Sequence, residues 1–242
     1  MHPKIYENVI IGNFLYGLGF AMRQHADGVG HQGAVNLLQQ TPADTLLGDV
    51  LMTFPGMSRL IEFKRKGAVL NKETVRHVTL TKALEDKSAL QRVSRRMHLY
   101  LEFSETEPDA ASIKVTSYLD AFSSDDALTQ TMAGCIEKFA SDVSESARME
   151  PAVRAAQREE EAFYLKLVRS LQGEGSIGSG GMLLMSDAEG RLAYAYLEDL
   201  SALRMTTREW SHALDQKLQR ELTRSMSREH SMKRDRGHGL ER

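Results

Sequence analysis

The stretch from Leu46 to Gly67, "LLGDVLMTFPGMSRLIEFKRKG", constrains this chain more than any other. Two apolar runs flank "PGMS", where proline presets φ and glycine accepts a positive φ, so a tight turn forms between them. The runs read as paired strands over 45–54 and 59–65. Side chains alternate across a strand. Leu60, Glu62 and Lys64 therefore share one face, and Ile61 and Phe63 share the other. An acid and a base project to one side of a sheet, with Asp49 in the neighbouring run. On an open face such a pair is ordinary solvated charge. On a face that lines a cleft it makes a site.

The rest of the chain supplies the surroundings of that hairpin. Residues 4–25 carry Ile5, Val9, Phe14, Leu15, Leu18 and Met22 at helical spacing. Gly12, Gly17 and Gly19 weaken that helix and permit close packing against a neighbour. Residues 25–33 form a glycine-rich break, and "AVNLLQQ" reads as one or two helical turns. Residues 71–97 read as one long helix with Asn71 as N-cap. Strands are expected over 98–103 and 112–122, and helices over 124–147 and 150–172, with Pro151 in a first turn. The glycine-rich segment 173–181 is a linker or flap, "MLLMSDAEGRLAYAYLEDL" is a β-hairpin, and 207–228 is a helix. The expected class is α/β: a mixed central sheet flanked by helices, with a C-terminal helical and hairpin elaboration. The expected organisation is a core over 1–122, a helical and hairpin part over 123–228 packing on it, and a basic flexible tail over 229–242.

Composition narrows the function classes. With 242 residues and 41% hydrophobic content the chain can bury a sizeable core. Its single cysteine, Cys135, rules out an intramolecular disulfide and a cysteine-rich zinc site; it fits a reducing cytoplasm and reads as a packed core thiol. No run reaches the ~18 apolar residues of a membrane span. The N-terminal apolar stretch follows Glu7 and Asn8 and reads as a core helix, not a signal peptide. A net charge of −2 supplies no broad positive field for steering onto nucleic acid.

The helix–strand–turn–strand–helix order, "GD" at 48–49 and "IEFK" at 61–64 resemble the PD-(D/E)XK nuclease superfamily, over about residues 4–105. The resemblance implies that Asp49 and Glu62 hold a divalent metal, Mg²⁺ or Mn²⁺, and that Lys64 assists the attacking water. It also implies a metal-site contribution from Glu7 in the first helix and from the Phe63 carbonyl. The chemistry suits those groups, because Mg²⁺ is a hard cation that takes carboxylate oxygens, water and substrate phosphate. The implied activity is metal-dependent DNA endonuclease cleavage in restriction, repair or anti-phage defence. The helix after Lys64 departs from branches that carry a Gln-x-x-x-Tyr signature there.

Around this core of residues, Arg65 and Lys66 are candidates for gripping the substrate backbone, as are Arg59 and Lys64 among the nearby cations. Lys72 and His77 read as a solvated helix face, with phosphate contact as the alternative, His25 and His31 as loop histidines, and Trp210 as packing. "GEGSIGSGG" lacks the Gly-Lys-Ser/Thr ending of a phosphate loop. So few cations hold few phosphates at physiological salt. The expected partners are therefore DNA together with a second copy of the chain, a helicase or ATPase, or a DNA-sensing protein. The competing class is a catalytically inactive nuclease-fold scaffold that binds a partner.

Overall fold

In the computed structural model, the described residues are 5–25, 33–38, 48–54, 56–107, 110–122, 128–171, 181–186 and 192–197. Six strands form one mixed sheet: β1 (Ala34–Leu37), β2 (Val50–Phe54), β3 (Met57–Arg65), β4 (His98–Glu107), β5 (Ala110–Ser117) and β6 (Leu128–Thr131). Their spatial order follows the chain. Every neighbouring pair is antiparallel except β3–β4, which is parallel. A parallel pair needs a crossover. Here the crossover consists of α2 (Asn71–Leu84) and α3 (Ser88–Met97).

The alternation along β3 divides the core in two. Ile61 and Phe63 face α1 (Glu7–Gln24) and α4 (Met132–Arg148), where Phe14 meets Phe63 and Phe139 edge-on at ring distances of 5.3 and 5.5 Å. Gly17 permits the closeness of α1 and α4: a Cβ there would lie 2.8 Å from Ile136 Cδ1. Leu60 faces the opposite layer of α2, α3 and α5 (Pro151–Leu171), packed through Leu80, Leu84, Met97 and Tyr164. Glu62 and Lys64 follow Leu60 onto that second face. The result is an α/β sandwich with an open mixed sheet between two helical layers. A separate antiparallel hairpin pairs β7 (Gly181–Ser186) with β8 (Leu192–Leu197). The chain divides into two compact units, Met1–Arg204 and Met205–Arg242, and every element named above belongs to the first.

Several boundaries differ from the sequence reading. The 71–97 helix is two helices. Lys87 leaves the helical backbone at φ −118°, ψ 65°, and the Gln91 amide donates to the carbonyls of Leu84 (2.8 Å) and Glu85 (3.1 Å). Those are end carbonyls that a helix terminus leaves without internal partners. Asn71 is the first helical residue, not the cap; Leu70 holds the cap position without a side-chain bond. Residues 34–37 are a strand, because a short segment gains more from pairing with β2 than from one costly helical turn. Residues 128–131 are likewise a strand that completes the sheet edge, and Thr131 then caps α4 by accepting from the Gly134 N–H at 3.1 Å. The strand expected over 112–122 ends at Ser117 and passes into a 3-10 turn, Tyr118–Asp120. Pro151 opens α5 as expected. The expected helix over 207–228, Trp210 and the basic tail lie outside the described residues. Among the described residues, no helix is long and apolar enough to cross a membrane.

Candidate active site

Asp49 reaches β3 through a backbone that only glycine suits. Gly48 has φ +132°, and a Cβ there would sit 3.3 Å from both Glu62 Oε2 and the Ile61 carbonyl. With that approach open, the Asp49 N–H donates to the Ile61 carbonyl at 3.0 Å. Its carboxylate Oδ2 accepts the Phe63 N–H at 2.7 Å. Asp49 is thus fastened to the two residues that flank Glu62. Both acids are buried, at 3% and 2% exposure. Lys64 lies on the same face as Glu62. Its Nζ donates to Glu62 Oε1 and, at 3.2 Å, to the Phe63 carbonyl.

The structure adds residues that the sequence reading did not single out. Glu73, in the first turn of α2, is buried at 3% exposure. Its Oε2 lies 3.8 Å from Lys64 Nζ and 3.3 Å from the Arg76 guanidinium, which also stands 3.9 Å from Glu62. The Tyr118 hydroxyl donates to Glu73 Oε1. His98 stacks flat on Tyr118 at 4.1 Å between ring centroids, and its Nδ1 pairs with the Tyr164 hydroxyl at 2.9 Å. Glu62, Glu73, Arg76, His98 and Tyr118 are among the residues that line a cavity of about 220 Å³. Glu73 and Arg76 share a helix turn at i, i+3, a spacing visible in the sequence. Tyr118 and His98 carry no local signal at all.

Burial and crowding dominate the electrostatics. Burial, then the neighbouring Asp49 charge, pushes the Glu62 carboxyl well above the usual carboxylate range; Lys64 offsets part of this and Glu73 adds to it. Burial opposes the Lys64 ammonium, but Glu62 and Asp49 outweigh it and hold Lys64 above its ordinary value. Burial, then Glu73, raises the Tyr118 hydroxyl. Burial, then Arg76, lowers His98 to about 3, so its ring is neutral at physiological pH. Asp49, Glu62 and Glu73 therefore face Lys64 and Arg76, and the charge of Glu7 also reaches Lys64. An excess of buried carboxylates over cations suits a hard divalent cation. The residues that could hold one are Asp49 and Glu62, with the Phe63 carbonyl. Among the described residues, no three His, Cys, Asp or Glu side chains gather as closely as a metal's ligands.

The remaining candidates fall in different places. Glu7 Oε1 accepts the Arg65 N–H at 3.3 Å, which ties the start of α1 to the end of β3. Arg65 is half-buried at that strand end, and Lys66 is exposed in the turn that follows. Arg59 is not beside the site. It lies toward the opposite end of β3, where burial lowers its affinity for a proton while Glu161 and Asp142 support its charge. His77 is not a solvated side chain: it is half-buried and its Nε2 meets the Leu119 carbonyl at 2.8 Å. Lys72 is exposed. His25 pairs with Glu137 at 3.0 Å, and His31 lies outside the described residues. Cys135 is a buried thiol, raised by burial to about 11. No protein-family model, no curated protein and no solved structure matches this chain, so the site rests on its own geometry and chemistry.

Proposed function

We propose that this chain is a divalent-metal-dependent DNA endonuclease with a PD-(D/E)XK-like core, hydrolysing phosphodiester bonds with Mg²⁺ or Mn²⁺. The observation that supports this most is the junction of Asp49, Glu62 and Lys64 where β2 begins against β3: two buried acids and a half-buried lysine beside one carbonyl. Asp49, Glu62 and the Phe63 carbonyl would hold the cation, with Glu7 contributing from α1. When bound, the cation would polarise the scissile phosphate and lower the pKa of a water. Lys64, kept protonated by its acidic neighbours, would stabilise negative charge as it develops on the phosphate or on the attacking oxygen. Glu73 and Arg76 position Lys64 and Glu62 from the α2 side. Arg65 and Lys66 would grip the substrate backbone.

A net charge of −2 favours delivery of DNA by a second component over tight unaided binding. The reading accordingly places the chain in a cytoplasmic restriction, repair or anti-phage defence complex, beside a helicase, ATPase or sensor protein or as a homo-oligomer. The test is incubation of the purified chain with plasmid and single-stranded DNA in Mg²⁺, Mn²⁺, Ca²⁺ or chelator. Cleavage is expected in Mg²⁺ or Mn²⁺ and none in chelator. Ca²⁺ should support binding better than cutting, because it accepts looser geometry. Cleavage in excess chelator would remove the metal from the reading. No cleavage under any condition, with or without added partner, would favour the inactive scaffold.

A further inference from the structure

Among the described residues, the second layer buries Tyr100, Tyr118 and Tyr164. Two of these hydroxyls have protein partners. Tyr118 donates to Glu73, and Tyr164 bonds Ser94 and His98. Tyr100 is 4% exposed, yet its hydroxyl has no hydrogen-bond partner among the described residues. A buried polar group left unpaired costs free energy that a phenylalanine would not. The ring is packed within the layer, with its centroid 5.8 Å from that of Phe122. The oxygen is not sealed in: the enclosed polar atoms that lack a partner, among the described residues, belong to Arg96, Arg154 and Glu161.

The sheet register sets that oxygen beside the candidate site. Strand β4 runs parallel to β3, with Tyr100 opposite Glu62 and Glu102 opposite Lys64. Side chains in register share a face, so Tyr100 projects to the side of Glu62 and Lys64. Asp49 reaches β3 from the β2 side, and Tyr100 stands on the other flank of Glu62. The charges that act on the hydroxyl are those of Glu102, Lys64, Glu73 and Glu62. Three of the four are acids, and it bonds none of them. Burial, then the Glu102 charge, raises the hydroxyl above an ordinary tyrosine. It is therefore a protonated donor throughout the neutral range.

We propose that the Tyr100 hydroxyl donates a hydrogen bond to a non-bridging oxygen of the phosphate that Lys64 serves, an assignment that rests on the nuclease reading. Tyrosine hydroxyls are among the usual donors to phosphate oxygens. The hydroxyl transfers no proton. It meets an oxygen whose negative charge grows as water attacks, which makes Tyr100 a further catalytic residue. Lys64 on β3 and Tyr100 on β4 then hold one phosphate from adjacent strands.

The test is Tyr100→Phe in the full chain with Mg²⁺, read as DNA cleavage and as melting. The kcat/KM for cleavage should fall about 10–100-fold, the scale of a hydrogen bond to a charged group. The melting temperature should hold or rise, since no protein partner is lost. A second arm uses a short DNA with sulfur replacing one non-bridging oxygen at the phosphate the parent cuts, each diastereomer separately. Sulfur is a weak acceptor. For one diastereomer the sulfur penalty should be smaller in Tyr100→Phe than in the parent, because the contact is already gone. A parent that cuts, with a variant that cuts as fast, overturns the inference and leaves the nuclease reading standing; the hydroxyl then meets solvent only. A variant that melts lower has lost a protein contact, which also overturns it, as do equal sulfur penalties in the two proteins. A parent that cuts no DNA removes the nuclease reading and this assignment together.

Discussion

Strand β3 meets buried charge at both ends, and the two ends bury different numbers of acids. At the Glu62 end, Asp49, Glu62 and Glu73 face Lys64 and Arg76 beside a cavity. At the Ser58 end, Glu161 on α5 is 2% exposed and accepts hydrogen bonds from Ser58, with the Arg96 and Arg59 charges beside it. Arg96 Nε stands 3.7 Å from Glu161 Oε1, and its terminal nitrogen bonds Glu160 at 3.1 Å. Desolvation is severe at both ends. What differs is how many acids are buried: the closed end buries one, Glu161, between Arg59 and Arg96, with Glu160 and Asp142 more exposed, and fastens α5 to the sheet, whereas the cavity end buries three, Asp49, Glu62 and Glu73. Buried charge alone does not mark a function. An uncompensated excess beside open space is the more informative sign.

The largest expected effect separates the ends by activity. Asp49→Asn, Glu62→Gln and Lys64→Ala should each lower DNA cleavage by about 10²–10⁴-fold, the scale lost when a positioned charge or proton-transfer group is removed. The two acid replacements should lower stability little, because they relieve repulsion between buried carboxylates, whereas Lys64→Ala leaves Glu62 and Glu73 less compensated and should lower it as well. Glu161→Gln should cut DNA at nearly the parental rate. Equal activity losses at the two ends, measured on plasmid with melting as control, would erase the distinction.

The reverse contrast is expected in stability. Arg96→Ala leaves Glu161 buried with less compensation; Arg96 is a third exposed and stands 3.7 Å from it, so the cost should be about 1–3 kcal/mol, the scale of a buried polar group left without its partner. Urea unfolding should report a loss of that order while the folded fraction still cleaves DNA. A loss below about 1 kcal/mol, as for an exposed ion pair, would mean that the closed end is not a strut.

Titration separates His98 from Glu161 by sign, although Glu62 at the cavity end is raised by burial as Glu161 is. His98 lines the cavity and is lowered to about 3 by burial, so below its unfolded value of 6.5 the unfolded chain binds a proton that the folded chain refuses. Its contribution to stability falls as pH drops, by about 2 kcal/mol at pH 5. Glu161 is raised, again chiefly by burial. The folded chain therefore holds a proton longer there, and this contribution falls as pH rises above the ordinary glutamate value of 4.5. His98→Asn should flatten the acid-side decline of stability, and Glu161→Gln should flatten the decline on the other side. Chemical denaturation between about pH 4.5 and 8 checks both, and the absence of either flattening would remove that group from the account.

How much of this was legible beforehand depends on how local each cause is. The face shared by Glu62 and Lys64 follows from strand alternation, and Gly48 before Asp49 is adjacent in sequence, so those four could be read directly. Glu73 and Arg76 sit on a visible helix, but which way that helix faces is set by Leu80 and Leu84 packing on the sheet. Tyr118 and His98 arrive through the pairing of β4 with β3 and β5, which leaves no periodic trace. The edge strands β1 and β6 have four residues each and owe their form to hydrogen bonds from neighbours. The helix break at Lys87 was equally hidden, since the capping Gln91 lies inside the apolar recurrence of the next helix.

The smallest expected effect compares two buried hydroxyls on either side of His98. Tyr118 donates to Glu73, whose other contacts are Lys64 and Arg76. Tyr164 bonds His98 Nδ1 and Ser94 Oγ, both at 2.9 Å, and touches none of the site's charges. Tyr118→Phe and Tyr164→Phe each delete a hydroxyl and keep the ring, so each should cost about 1–2 kcal/mol of stability. Their effects on cleavage should part. Without the Tyr118 hydroxyl, Glu73 loses an anchor and Lys64 is held less firmly, which should lower kcat about tenfold, or ~1.4 kcal/mol of barrier. KM should hold, because neither hydroxyl belongs to the groups assigned to the substrate backbone. Tyr164→Phe should leave both constants near the parent's. If the two variants slow cleavage equally, Glu73 does not position Lys64, and the cavity end works through Asp49 and Glu62 alone.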